Sequence, residues 1–201
     1  TLGARKVAGS RAFRDGLVEV QDASSQAAVS FLPLPKTGRI LDYCAGGGGK
    51  SLAMAALSDA DIYAHDRDPG RMKDIPARAL RAGSEIRCVE TATLSGIAFF
   101  DLVLCDVPCS GTGDWRRSPD ARWRFAEPDL KQLLSVQKAI LTEAAPLVRP
   151  GGRLVYSTCS VLSCENEVQL RNWLADCGPD WRIADEMHRL PNQQGDGFYC
   201  A

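Results

Sequence analysis

The chain is 201 residues long, enough for one domain or at most two small ones, and a chain of that size buries roughly 70% of the surface its unfolded form exposes. Hydrophobic residues make up 45% and charged residues 24%, which excludes collagen-like, coiled-coil and wholly disordered readings, and no apolar run approaches the roughly 18 residues that cross a bilayer. A formal net charge of −1 excludes indiscriminate nucleic-acid binding through a large basic surface. The charge is uneven, however. Residues 1–40 carry six Lys/Arg against three Asp/Glu, and residues 161–201 carry three against seven.

Thr1 to Lys6 are followed by no apolar stretch and are not read as a secretory signal. A chain that does not begin with Met is expected to be a trimmed piece of a longer one. With eight cysteines and no sign of secretion, reduced thiols and a cytoplasmic setting are expected.

The first 20 residues read as an extended lead-in ending in a short alternating strand, Leu17 to Val20. Asp22 to Ser25 reads as a helix start, running towards Phe31 and stopped by Pro33 and Pro35. A lead-in over 1–37 is therefore expected to pack on a domain over 38–201. From Gly38 a strand–helix rhythm begins. Arg39 to Tyr43 predicts a buried strand, then a glycine turn and a small-residue helix from Lys50 to Leu57. Asp61 to His65 predicts a second strand, with Pro69 opening a helix over 70–82. Glu85 to Val89 is a weak strand and Asp101 to Cys105 a strong one. Asp129 to Leu147 carries a helical apolar stripe and ends at Pro150-Gly151-Gly152. Arg153 to Ser157 is a strand, Glu165 to Asp176 a helix, and Trp181 to Ile183 with Phe198 to Ala201 a closing strand pair. Strands alternating with helices predict a Rossmann-like, doubly wound α/β fold with a mainly parallel sheet and a C-terminal antiparallel strand.

In such sheets ligands bind beyond the carboxyl ends of the strands. Gly46-Gly47-Gly48-Gly49 follows the first of them. Read blandly it is a loose surface turn; in this place it lets backbone amides approach a nucleotide-like ligand closely. Lys50-Ser51 does not complete a Walker loop, and the run is not a clean G-x-G-x-x-G. Asp66, about 20 residues on, sits where an acid accepts hydrogen bonds from ribose hydroxyls, with Asp68 as a competing helix cap. These features suit an adenosine-containing cofactor, nicotinamide or S-adenosylmethionine.

Two thiols, Cys109 and Cys159, sit just past the fourth and fifth strands. A lone cysteine is more often a small buried hydrophobe, the reading kept for the other six. Two at matching edge positions point instead to a thiolate nucleophile. Zinc is disfavoured, since Cys105/Cys109 and Cys159/Cys164 lack the usual C-x₂-C spacing, and no C-x-x-C supports disulfide exchange. Between Asp114 and Arg124 lie four arginines and two tryptophans. Either these are a solvated loop paired to Asp114 and Asp120, or they hold phosphates and stack on bases.

With these residues in hand, the chain resembles the Sun family of RNA cytosine-5 methyltransferases. The matching stretches are Val20 to Gln26, Leu41 to Ala45 through Gly48-Gly49-Lys50, Asp106 to Gly113, Arg116 to Asp120, Tyr156 to Ser160, Glu165-Asn166-Glu167 and Gly195 to Phe198. The resemblance implies a class I methyltransferase domain that uses S-adenosylmethionine and acts on single-stranded or flipped-out cytosine in RNA, ribosomal RNA above all. It implies that Cys159 attacks carbon 6, that Cys109 helps to resolve the covalent intermediate, and that Asp106 touches the cytosine edge. It further implies cofactor contacts from Cys44, Ala45, Gly46, Gly47, Gly48, Gly49, Lys50, Asp66, Arg71, Glu90 and Asp106. From the composition of their segment, Arg116, Arg117, Arg122 and Trp123 are expected to contact RNA, and neither metal nor membrane is expected to be involved. The family's loop usually reads Cys-Ala-Ala-Pro-Gly-Gly-Lys, so Gly46-Gly47 stand in place of Ala-Pro and loosen the turn. A catalytically weakened RNA- or partner-binding domain of the same fold is the alternative reading.

Overall fold

The computed structural model describes residues 7–177, 180–193 and 195–201. The reading of Thr1 to Lys6 lies outside the described residues. A short helix α1, Arg11–Arg14, and a helix α2, Ala23–Phe31, precede the sheet. Asp22 caps α2 through its carboxylate, which accepts from the Ser24 N–H, as a helix start of this type requires. Leu17 to Val20 forms no strand. Val20 is 46% exposed and Leu17 77%, so the short alternation has no sheet to bury against.

Seven described strands form one sheet, in the order β3-β2-β1-β4-β5-β7-β6. They are β1 Arg39–Asp42, β2 Asp61–Ala64, β3 Ile86–Cys88, β4 Phe100–Asp106, β5 Val148–Thr158, β6 Met187–Arg189 and β7 Phe198–Cys200. β1 to β5 are mutually parallel, whereas β7 runs antiparallel to both β5 and β6. The chain order reverses between β1 and β4, which places the switch-point cleft at their carboxyl ends.

Alternation along the strands sends neighbours to opposite faces. Ile40, Ile62, Leu102, Leu104 and Val155 pack with α2, with α3 (Gly49–Ala55) and with α4 (Ile75–Arg81). Leu41, Val103, Cys105 and Tyr156 pack on the other side with α7 (Glu127–Ala144) and α8 (Glu167–Cys177), through Leu141, Leu170 and Trp173. Two short helices, α5 (Thr91–Leu94) and α6 (Ala121–Arg124), lie in the edge loops, where no sequence period announced them. Among the described residues no helix is long and apolar enough to cross a membrane.

Three expected elements are redrawn. The helix expected over 70–82 is split into a single 3-10 turn, Pro69–Met72, and α4. Pro76 lies in the first turn of α4; its ring disfavours helical geometry just before it and removes one donor. Pro150-Gly151-Gly152 does not merely end a helix. Those residues belong to β5, where Phe100 pairs with Val148 and Leu102 with Arg153, so the intervening residues loop out as a bulge with Gly151 at φ 74°. Finally, β7's partner is Met187–Arg189 and not Trp181 to Ile183, which packs its side chains against the α8 face instead.

Candidate active site

The expected site residues fall into two neighbouring groups at the carboxyl edge. The first is the loop after β1. Gly46 and Gly48 have φ 52° and 80°, conformations that L side chains rarely adopt, and a Cβ at Gly48 would sit 2.7 Å from Ile75 Cγ1. The loop is held by its own amides. Ala45 N–H donates to His65 O at 2.8 Å, Gly48 N–H to Ala45 O at 2.8 Å, and Gly46 N–H to Asp66 Oδ2 at 2.9 Å. Asp66 is buried and also accepts from Asp68 N–H at 3.0 Å, while Arg71 Nη1 lies 3.2 Å from Oδ2. Asp68 caps the 3-10 turn, as its competing reading expected. The acid is thus already part of the loop's scaffold. Arg78 caps Gly47 O from outside and is paired with Glu19 of the lead-in. Glu90 is exposed at the end of β3; its neighbour Thr91 bonds His65 Nε2 at 2.8 Å.

Beneath this loop lies a residue that sequence reasoning did not single out. Asp42, at the end of β1, is 1% exposed. Its Oδ2 accepts from Ser51 Oγ at 2.7 Å, and its Oδ1 has no hydrogen-bond partner among the described residues. Burial pushes its carboxyl up to about 7, the Ser51 bond opposes this, and the charge of Asp106 adds to it. Cys44 is likewise pushed up by burial, which keeps it a neutral thiol.

The second group surrounds the ends of β4 and β5. Cys109 Sγ and Cys159 Sγ lie 3.2 Å apart, although 50 residues separate them. None of the eight cysteines forms a disulfide. Two glycines allow the approach of the loops. Gly111 has φ 65°, and a Cβ at Gly113 would sit 2.3 Å from Gly197 O and 2.8 Å from Cys159 O. The Gly113 N–H donates to Cys159 O at 2.9 Å, and the Gly197 N–H to Gly113 O at 2.8 Å. A hydrogen bond from Cys109 holds Cys159 below the ordinary thiol range; burial and Asp106 oppose the shift, and the Lys50 ammonium supports it. Cys109 is correspondingly held far above that range, by its bond to Cys159 and by burial.

Lys50 joins the two groups. Its Nζ lies 2.6 Å from Asp106 Oδ2 and 5.2 Å from the centre of the Phe198 ring. Burial pulls its pKa down, and Asp106 more than offsets that, leaving it above the ordinary lysine value. Asp106 Oδ1 accepts from Ser157 Oγ at 2.9 Å, so the acid is held from both sides of the cleft. A groove of about 580 Å³, lined by Cys109, Ser110, Phe125, Leu133 and Val136, opens beside Cys109. A more enclosed apolar cavity of about 170 Å³, beside Trp173 and Trp181, contains neither Cys109 nor Cys159 and is not this site.

The arginine-rich segment divides. Arg116 pairs with Asp196 at 3.2 Å, and Arg117 with Asp196 and with Asp114. Asp196 is 4% exposed, and its backbone oxygen accepts from Ser24 Oγ at 2.7 Å. These two arginines therefore tie the loop to the tail and to α2. Arg122 stacks 4.5 Å over Trp123, which is 78% exposed. The side chain of Arg124 lies outside the described residues.

The sheet order, with the paired thiols at its switch-point edge, is that of the Rossmann-like fold class to which class I methyltransferases belong. A methyltransferase homolog protein from Pyrococcus horikoshii superposes with TM-score 0.78 at 24% identity, over 96% of this chain and 70% of that one. NSun6 from the same organism, in a structure with SFG, gives 0.75 at 22%, over 96% and 54%. At those identities the likeness is one of fold. PH0851 superposes with TM-score 0.85 at 30% identity, over 96% of this chain and 48% of that one. The family model for 16S rRNA methyltransferase RsmB/F matches residues 29–201, and the chain belongs to that family. A ribosomal RNA small subunit methyltransferase B from Salmonella arizonae is 37% identical over 203 residues, covering 94% of this chain and 47% of the relative. The chain thus spans about half the length of the curated relatives it matches.

Proposed function

We propose that this protein is an RNA cytosine-5 methyltransferase acting on ribosomal RNA, with S-adenosylmethionine as methyl donor. The carrying observation is the contact of two thiols at 3.2 Å beside a Lys50–Asp106 pair, at the switch point of the sheet. Family membership and the curated relatives' ribosomal RNA names support the substrate.

The residues fit the donor on two counts. The left-handed Gly46 and Gly48 let the loop fold tightly where a Cβ would meet Arg71 and Ile75, and Asp42 Oδ1 is a buried acceptor with no donor among the described residues. Cys44 to Gly49 would hold the methionine part, Asp66 the ribose once exposed Arg71 gives way, and Glu90 the outer rim of the adenine side. When bound, S-adenosylmethionine supplies an electrophilic methyl group.

Carbon 5 of cytosine is too poor in electrons to accept that group unaided. The Cys159 thiolate adds to carbon 6, and the displaced electron pair makes carbon 5 nucleophilic. Lys50 favours the thiolate through the positive charge of its ammonium. Asp106, held by Lys50 and Ser157, would accept from the amino group of the ring as a carboxylate and would donate to nitrogen 3 when it carries a proton. After methylation the carbon 5 proton leaves to a base, the carbon–sulfur bond breaks, and Cys159 departs as thiolate. Cys109, adjacent to that sulfur, assists this release. Such a base must be single-stranded or flipped out to reach both sulfurs. Exposed Trp123 and Arg122 supply stacking and charge for the flanking RNA, with Arg116 and Arg117 shaping the loop. The same reading places the protein in the cytoplasm, with 1–37 as a lead-in packed on a methyltransferase domain over 38–201.

The test is methyl incorporation into ribosomal RNA with Cys159→Ala, expected to fall to background. Cys109→Ala should instead accumulate a protein–RNA adduct stable on denaturing gels. Full activity of Cys159→Ala sinks the reading.

A further inference from the structure

Near the two sulfurs lies a charged group that the mechanism above does not use. Glu165 ends the 3-10 turn Ser163–Glu165 between β5 and α8, and it is wholly buried. Its described partners are neutral donors. Oε1 accepts from the Ser110 N–H at 2.9 Å and from Gln137 Nε2 at 3.0 Å. Oε2 accepts from Ser160 Oγ at 2.6 Å and from Ser110 Oγ. Ser110 directly follows Cys109, and Ser160 directly follows Cys159.

We infer that Glu165 is a positioning residue for the cysteine pair: one buried carboxylate grips the serine after each cysteine and so holds the two sulfurs at contact distance. The inference rests on the reading of Cys109 and Cys159 as the working thiols. Neighbouring groups complete the brace. Gln137 Nε2 also donates to Pro108 O at 3.1 Å, just before Cys109. Asn166 takes the other side, accepting from Thr158 Oγ1 at 2.6 Å and donating to Ser160 O at 3.0 Å. Both residues that flank Cys159 are therefore fixed by Glu165-Asn166. A carboxylate is buried stably only when donors satisfy it, so the clamp closes fully or is strained.

The charge has a second consequence. Glu165 disfavours a thiolate on Cys109, while Lys50 favours one on Cys159. The bond between the two sulfurs and their burial separate them most, and the charges on either side add to that difference. A neutral brace of the same shape would hold the loops without this bias.

The experiment is alkylation of the full chain by iodoacetamide under reductant at pH 7.5, with each cysteine quantified by peptide mass spectrometry, alongside steady-state methyl transfer. In the unmodified protein Cys159 should react at least about tenfold faster than Cys109. Glu165→Gln, which keeps the volume and removes the charge, should raise the reactivity of Cys109 and shrink that ratio by at least about twofold. It should also lower kcat roughly 10- to 100-fold with KM for RNA within about twofold. If Glu165→Gln does not fold, Ser110→Ala combined with Ser160→Ala removes both hydroxyl donors and should show the same loss of kcat at unchanged KM. A variant that loses thermal stability but keeps the alkylation ratio and kcat overturns the inference, as does equal reactivity of the two thiols in the unmodified protein. If the protein methylates no RNA while the alkylation ratio still responds to Glu165→Gln, the methyltransferase reading fails and the clamp stands.

Discussion

The two halves of the cleft are built on different physical plans. After β1 the chain is shaped by backbone. Gly46 and Gly48 take left-handed angles, amides turn inward to His65, Ala45 and Asp66, and the outer supports are an Arg71 side chain 61% exposed and Arg78. After β4 and β5 the chain is shaped by buried side chains. Ser110, Ser160, Gln137 and Asn166 converge with Glu165, and Lys50 locks Asp106. Under the proposed function, a loop that must yield to an incoming ligand is held by adaptable contacts, and a thiol pair that must keep its geometry is held by a satisfied polar network. The departure of Gly46-Gly47 from the family's usual Ala-Pro falls in the adaptable half, where Arg78 covers the carbonyl from outside.

The largest effect should come from the rigid half. Asp106→Asn keeps the shape but strips the partly buried Lys50 of its counter-charge, and kcat should fall roughly 10²- to 10³-fold with the KM for RNA little changed. A loss confined to KM would show that Asp106 only binds.

Asp42 tests the seam between the halves through pH. Its folded pKa of about 7 exceeds the unfolded value of 3.8. The folded state therefore keeps a proton that the unfolded chain releases, so the associated stability is full below about pH 4 and is lost as pH rises through about 7. Asp42→Asn should stabilise the protein at pH 8 by on the order of 2–4 kcal/mol and change little at pH 4. Urea unfolding at both pH values reads this, and equal shifts would show that Asp42 is ionised throughout.

Gly48→Ala should weaken binding of an S-adenosylmethionine analogue 10- to 30-fold, roughly 1–2 kcal/mol, by forcing a Cβ onto Ile75 at φ 80°. Titration calorimetry measures it, and unaltered affinity would remove the loop from the cofactor site. Arg122→Ala with Trp123→Ala should lower RNA affinity about fivefold at unchanged kcat, as loss of one stacking platform predicts; gel shift against a ribosomal fragment reads it. Arg71→Ala, removing a largely exposed pair, should change cofactor affinity less than about threefold. An effect larger than that of Gly48→Ala would reverse the contrast drawn between the two halves.

The sequence by itself determined the fold class, the parallel core strands and the edge on which the site lies. Period-two and period-3.6 patterns are local, and the run Gly46 to Gly49 announces its turn without help from distant residues. The family motifs named Cys109 and Cys159 individually. Where tertiary packing decided, local signals misled. Leu17 to Val20 alternates like a strand and finds no partner. Trp181 to Ile183 looks like β and lies against the α8 face, while Met187 to Arg189 takes the edge. Pro150-Gly151-Gly152 reads as a stop and is a bulge inside β5. Asp42 and Lys50 carry no local mark of burial, and Glu165 stood within a family motif without an assigned role. Their importance lies in contacts across 56 residues for Lys50 with Asp106 and 55 for Glu165 with Ser110. A pairing at that separation is set by which strands lie side by side, and only the folded sheet makes β4 a neighbour of both β1 and β5.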